Sequence, residues 1–381
     1  MNTNIPISDD DRRLLMETVS SLVAAKIEPL AKQIDQEGEI AGGIFSALAE
    51  SGLHAVNVPA VYGGEGASIA DGVVLIEELA RGCASVASIL VMNLAGIAAL
   101  VAGKNERLKS ELLPHVAKGE VILVWSAEAW EDQGELTATP DSDGLVLSGK
   151  LHWVPCFEVG AKLMLVARAK GQSESHLVVI DLSTPQNGLV EIGPLESDLG
   201  LRGTFLRTVS LQSANIKKDQ IIASGFDVSE PLQRLRSVGQ VATAAQANGL
   251  ASASLGHARR YVSERYQFGV PISDFESTRI ILATMALNLA AARQLTFAAA
   301  DKLGAIVPVW ADRDRIAADC GAKWFATKVA VDVAIDTVQL FGGYGFVKDY
   351  PVERLMRDAK MTQLMLGTNQ ILDIADEMLS R

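Results

Sequence analysis

Three long Ala-rich stretches, Ala242 to Tyr261, Ser277 to Leu303 and Ile316 to Leu340, constrain the fold more than any other feature of the chain. Alanine gives up no side-chain entropy in a helix and leaves little bulk between neighbours, so these stretches predict long helices packed closely together. Helical texture also opens the chain. Leu15, Val19, Leu22, Val23 and Ile27 recur at the spacing of one apolar face until Pro29 interrupts it. Val58 to Gly66 (VPAVYGGEG) is a turn-rich break, and helical spacing resumes with Val73, Ile76 and Leu79.

Between these helical parts the texture changes. Val121 to Val124, Leu145 to Leu147, Leu163 to Val166, Leu177 to Ile180 and Val209 to Leu211 are short apolar runs bounded by Gly, Pro, Asp and Ser, the pattern of strands. The expectation is a multidomain α+β chain: an all-α domain over residues 1–118, a β-barrel-like or sandwich domain over 119–226, and an α-helical bundle over 227–381.

Composition closes off several classes. With 49% hydrophobic and 21% charged residues the chain can bury a sizeable core, which excludes a disordered or linker-dominated protein. A net charge of -12 argues against non-specific nucleic-acid binding, which needs clustered Lys and Arg. The uncharged run Gly82 to Gly103 is long enough to cross a bilayer, but Ser85, Ser88, Asn93 and Gly96 interrupt it and no membrane anchors flank it, so a buried helix and no membrane are expected. Cys83, Cys156 and Cys320 are odd in number and widely spaced, without metal-ligand spacing, and no secretory signal opens the chain; a reduced cytoplasmic protein is the expectation.

The sharpest motifs lie near the C-terminus: Gln339 to Phe346 (QLFGGYGF), Val352 to Lys360 (VERLMRDAK) and Leu364 to Ile371 (LMLGTNQI). Arg265 to Ile272 (RYQFGVPI) with Phe275, and Tyr62-Gly63-Gly64 with Gly66, precede them. In this order and spacing the chain resembles the acyl-CoA dehydrogenase family over essentially its whole length. The resemblance implies a helical N-terminal domain, a middle β domain and a C-terminal four-helix bundle, FAD as cofactor, and acyl-CoA or another acyl thioester as substrate. It also implies a dimer-of-dimers tetramer with FAD across a subunit interface, and an electron acceptor that can itself be a flavoprotein.

Carried over residue by residue, the resemblance gives Arg265, Gln267, Phe268, Gln339, Gly342 and Gly343 to the FAD of a neighbouring subunit. Arg265 offers a fixed fork of donors to a pyrophosphate, Phe268 a flat surface, and the two glycines a close backbone approach. Ser126, Ala127, Trp153, Thr368 and Gln370 fall to the chain's own flavin, with Asn369 beside the last two.

The same comparison exposes losses. The family's catalytic glutamate, which removes the substrate α-proton, is replaced by Leu366, and the family's second location for that base is Gly239. The catalytic residue is therefore unknown. Gln240 stands where the family has an arginine near the substrate, and Arg236 lies one turn before Gly239. Ala127 loses a hydroxyl expected at the flavin, and in Trp153-Val154-Pro155 the proline removes both a hydroxyl and a backbone N–H. Glu276 takes the place of a common glutamine, a milder change. Leu366 keeps the backbone N–H that would polarise a thioester carbonyl.

Three readings follow: an acyl-CoA dehydrogenase-type redox enzyme running a variant reaction such as elimination or two-electron reduction, a flavin monooxygenase or desulfinase-type enzyme on the same fold, or a non-catalytic partner subunit completing the FAD site of a catalytic homologue. The losses fall mostly on the chain's own flavin side, which motivates the mixed hetero-oligomer.

Overall fold

The computed structural model describes residues 9–126, 136–157, 160–168, 174–182, 189–304 and 313–366. Six helices build the N-terminal part: α1 (Asp9–Leu22), α2 (Ala31–Glu37), α3 (Gly42–Glu50), α4 (Ile69–Gly82), α5 (Ala84–Ala102) and α6 (Glu106–Ala117). The apolar face that begins in α1 continues through a wide turn at Val23–Ile27 and ends in a tight turn that carries Pro29. Ser68 starts α4 with a capping box: its hydroxyl accepts the Asp71 N–H, and the Asp71 carboxylate accepts the Ser68 N–H. The uncharged run becomes α5, 89% buried over its apolar window, as expected of a core helix. Its Asn93 is satisfied inside the core, donating to the His54 carbonyl at 2.9 Å and accepting the Leu123 N–H at 2.8 Å.

Among the described residues the middle part forms two four-stranded sheets. One has the order β1 (Ile122–Trp125), β4 (Ala161–Arg168), β5 (Ser175–Asp181), β8 (Ile221–Ser224), with β1 parallel to β4 and the remaining pairs antiparallel. The other runs β2 (Thr137–Asp141), β3 (Gly144–Pro155), β7 (Leu206–Lys217), β6 (Val190–Leu195), all antiparallel. The β3–β7 register shifts between Leu151 and Val154, so His152 and Trp153 bulge from the ladder.

Among the described residues four α-helices follow: α7 (Ser229–Glu264), α8 (Glu276–Gly304), α9 (Arg313–Phe341) and α10 (Val352–Thr362). The Ala-rich stretches lie within the first three. Helices α7 and α9 run side by side at a constant offset: Gln240 meets Cys320 and Tyr261 meets Phe341, each pair 80 residues apart. Gly249 permits the approach of α7 to α4, since a Cβ there would lie 2.3 Å from the Glu77 carbonyl oxygen. Between α7 and α8, a hairpin of β9 (Tyr266–Gln267) and β10 (Val270–Pro271) turns through Phe268 and Gly269, both at positive φ.

Helix α10 ties the parts together. The Arg357 fork binds Asp35 of α2 at 2.7 and 2.8 Å and donates to the Leu199 carbonyl, while the Asp358 carboxylate accepts the Leu201 N–H at 2.7 Å. Burial alone would push the Asp35 carboxyl up, but the Arg357 fork overrides it and holds the group below its usual range. Arg293 of α8 adds a second tie, donating to Glu77 of α4 at 2.5 Å. Helix α8 is itself long and apolar enough for a bilayer by length and composition, yet its window is only 22% buried. Its outward face carries Ile280, Leu287 and Leu295.

Candidate functional site

The two positions where a base was expected meet in space. Gly239, on the face of α7 turned toward α5, is buried, and a Cβ built there would lie 2.6 Å from Leu366 Cδ1 and 3.4 Å from Ala95 Cβ. Leu366 is itself only 8% exposed and holds φ at +57°. The site is therefore filled as well as lacking a carboxylate: a leucine side chain sits where a side chain on residue 239 would project. Bulky residues rarely adopt positive φ, and surrounding structure must over-determine such a conformation for it to persist.

Gln240 turns from that point toward α9, where Cys320 Sγ donates to its Oε1 at 3.4 Å. With the amide oxygen engaged, the Gln240 NH₂ group is the end left to act as a donor. Arg236, one turn earlier, is exposed, and the structure does not carry it into the buried Gly239–Leu366 contact. Cys320 has no local sequence signal for this role; only the offset between α7 and α9 brings it to Gln240.

A second grouping lies where β1 ends. Ser126 is buried, and its hydroxyl donates to the His152 carbonyl at 3.2 Å, which ties the end of β1 to the bulge. The bulge holds Trp153 at φ +51° and leaves the residue 59% exposed. Pro155 pairs with Leu206 at the end of the ladder. His152 Nδ1 contacts Thr208 Oγ1 at 3.0 Å, and Thr208 in turn donates to Glu196 at 3.0 Å. This chain beside Trp153 was not foreseen, because a cross-strand neighbour is set by register. Ala127, Thr368, Asn369 and Gln370 lie outside the described residues.

The third grouping gathers the residues assigned to a neighbouring flavin. Tyr261 stacks on Phe341 at 4.0 Å between centroids and brings the end of α7 beside the turn after α9. Arg265, at the C-cap of α7, is exposed, and its guanidinium carbon lies 5.7 Å from the Tyr344 ring centroid. That distance suits a cation–π contact. Gln267 is exposed, as is Gln339 near the end of α9. Phe268 is 95% exposed in a left-handed turn and makes an edge contact with Phe275 at 6.4 Å. Glu276 begins α8 and is exposed.

Gly342 and Gly343 are exposed, and a Cβ on either would meet no atom of the chain within 4 Å. Gly342 needs its glycine for φ +58°; Gly343 has no such need inside the chain. Open backbone beside an exposed guanidinium and an exposed ring is the donor set a dinucleotide with a pyrophosphate and flat rings requires, so the residues present fit FAD approaching from outside the chain.

Helices before and after a paired-sheet middle, with these groupings, define the fold of a flavoprotein oxidoreductase class. The N-terminal domain of acyl-CoA dehydrogenases matches residues 9–120, and their C-terminal domain matches 232–378. Probable acyl-CoA dehydrogenase fadE25 of Mycobacterium leprae (strain TN) is 33% identical over 95% of this chain and 93% of its own. The 3-(aryl)acrylate reductase of Clostridium sporogenes is 28% identical over 95% of this chain and 96% of its own. The solved butyryl-CoA dehydrogenase from Megasphaera elsdenii superposes with a TM-score of 0.89 at 25% identity, covering 98% of this chain and 99% of that one. This chain belongs to the acyl-CoA dehydrogenase family, and it is an acyl-CoA dehydrogenase-like flavoprotein oxidoreductase.

Proposed function

We propose that the chain holds FAD and performs flavin-dependent redox chemistry at the Cα–Cβ bond of an acyl thioester, in the reductive direction. The observation that carries this reading is the Leu366 side chain lodged over Gly239. Oxidation of a saturated acyl group needs a positioned base for the α-proton, and losing one costs about 10²- to 10⁴-fold in rate. Reduction of an already unsaturated group puts a hydride on Cβ and a proton on Cα; the enolate left by the hydride is basic enough to take that proton from water, so no positioned carboxylate has to pull one from an unactivated C–H bond. The similarity to a reductase from Clostridium sporogenes is consistent with that direction. FAD, when bound, supplies the two-electron chemistry. Leu366 offers its backbone N–H to the thioester carbonyl and an apolar wall to the acyl chain. The Gln240 NH₂ group, held by Cys320, presents a donor near the acyl site.

The same reading places a second copy of this chain against the exposed face of α8. Phe268 touches Phe275, which directly precedes α8, so the apolar face runs on from the aromatic and Arg265 patch. A helix of 29 residues is about 43 Å long at 1.5 Å per residue. With the adjoining patch that length gives a surface on the scale of the roughly 800 Å² per partner that stable pairs bury. A homotetramer in the cytoplasm, accepting electrons from another flavoprotein, fits this arrangement.

The deciding experiment compares two directions in purified protein of measured flavin content. Enoyl-CoA-dependent oxidation of a reduced viologen is expected, with little acyl-CoA-dependent reduction of a ferrocenium dye. Robust oxidation of straight-chain acyl-CoAs would refute the direction. Flavin appearing only when a homologous chain is co-expressed would instead support the partner-subunit alternative.

A further inference from the structure

A cleft of about 320 Å³ lies between α2, the end of α4, the turn at Arg202 and the start of α10, next to the third grouping through Tyr350, whose ring packs edge-on against Phe341 and Tyr344. Its walls are charged, but several of the charges are already committed. Asp35 and Glu353 are both held by Arg357, and Arg81 is held by Glu78. Lys32, Arg202, Lys348 and Arg354 then remain against Glu28, Asp349 and the one carboxylate charge that a single Arg357 leaves uncancelled, an excess of one cation.

Two of these cations are partly buried. Among the described residues Arg354 has no hydrogen-bond partner, and Arg202 uses only its Nε, donating to the Asp198 carbonyl at 3.0 Å. Guanidinium groups partly withdrawn from water with most donors unused are poorly satisfied by the chain itself. The charge of Arg354 is felt nearby: burial pushes His257 down, and Arg260 and Arg354 push it further against the opposing pull of Glu28.

We propose that this cleft is a binding site for a phosphate-bearing anion, gripped by Arg354 and Arg202, with Lys32 and Lys348 adding positive charge at the rim. Two planar forks match phosphate oxygens in bidentate geometry, which isolated lysines cannot do. The volume exceeds that of a single phosphate and falls in the range of small-molecule pockets, so a diphosphate or a nucleotide is the size class. None of the flavin or thioester residues named above lines the cleft, so the proposal stands apart from the proposed reaction.

Titration calorimetry of the holoprotein with inorganic pyrophosphate tests it. Saturable one-to-one binding is expected, weakened about tenfold or more by Arg354→Gln and by Arg202→Gln, since each removes charge-assisted contacts. Glu28→Gln should tighten binding by removing an opposing charge, a gain that misfolding cannot mimic. Lys217→Gln, exposed at the end of β7, should leave it unchanged. ADP binding more tightly than pyrophosphate would identify a nucleotide as the source of the phosphate; equal binding would identify the phosphate groups alone. Absence of binding at millimolar pyrophosphate would overturn the proposal. Arg354→Gln altering the native mass without altering pyrophosphate affinity would overturn it too, by showing that Arg354 serves a protein contact.

Discussion

Replacing Gly239 with alanine probes whether Leu366 fills the place of the missing base. The added methyl would sit 2.6 Å from Leu366 Cδ1 and 3.2 Å from its Cδ2, with Ala95 Cβ at 3.4 Å on another side. Carbon atoms prefer about 3.5–4.0 Å, so Leu366 must be displaced by roughly an ångström. Overpacking of this kind costs about 1–3 kcal/mol. Alanine in place of a helical glycine returns about 1 kcal/mol. The single variant should therefore lie between neutral and about 2 kcal/mol destabilised. In a Leu366→Ala background the clashing atoms are gone, and the same Gly239→Ala change should stabilise by about 0.5–1 kcal/mol. The coupling between the two sites is then about 1–3 kcal/mol, well above the 0.3–0.5 kcal/mol scatter of independent sites. Urea unfolding of the wild type, both single variants and the double variant, followed by far-UV circular dichroism, measures it. Additive effects would refute the reasoning and place the Leu366 side chain elsewhere in solution.

Other expectations follow from the same geometry. Leu366→Glu puts a carboxylate back at the family position and should introduce α-proton exchange in a bound acyl-CoA, measured by deuterium incorporation; no exchange with flavin bound would mean the thioester does not reach residue 366. Arg265→Ala should lower the flavin content of purified protein, read from its visible absorbance, and unchanged content would remove Arg265 from the cofactor site. Burial pushes the Cys83 thiol up to about 11 and the Cys156 thiol up to about 12, so both should resist maleimide near neutral pH in native protein and react after unfolding. Burial raises Asp358 to about 6, so its folded form holds a proton more tightly than the unfolded chain does, and its ionisation takes stability away as pH rises from about 4 to 6. Asp358→Asn keeps an acceptor for Leu201 without the charge, so its stability relative to wild type should climb across that window; a pH-independent difference would contradict the assignment.

Local order was legible in the sequence because it depends on local preferences. The Ala-rich stretches became α7, α8 and α9, the uncharged run became the buried α5, and the short apolar runs became strands. The family motifs and the absence of a carboxylate at residues 239 and 366 needed only the order of residues. What those absences do needed the tertiary structure. That Leu366 lies on Gly239 depends on the chain after α10 returning to α7, a contact between distant segments that no periodicity encodes. The hold of Cys320 on Gln240 depends on the offset between two packed helices, and the His152–Thr208–Glu196 chain depends on a bulge that shifts a strand register. The cleft at Arg354 depends on which acids Arg357 has already engaged. Propensity and pattern decide what each segment becomes, whereas packing between segments decides which side chains share a space, and the chemistry of this chain lies in the second of these.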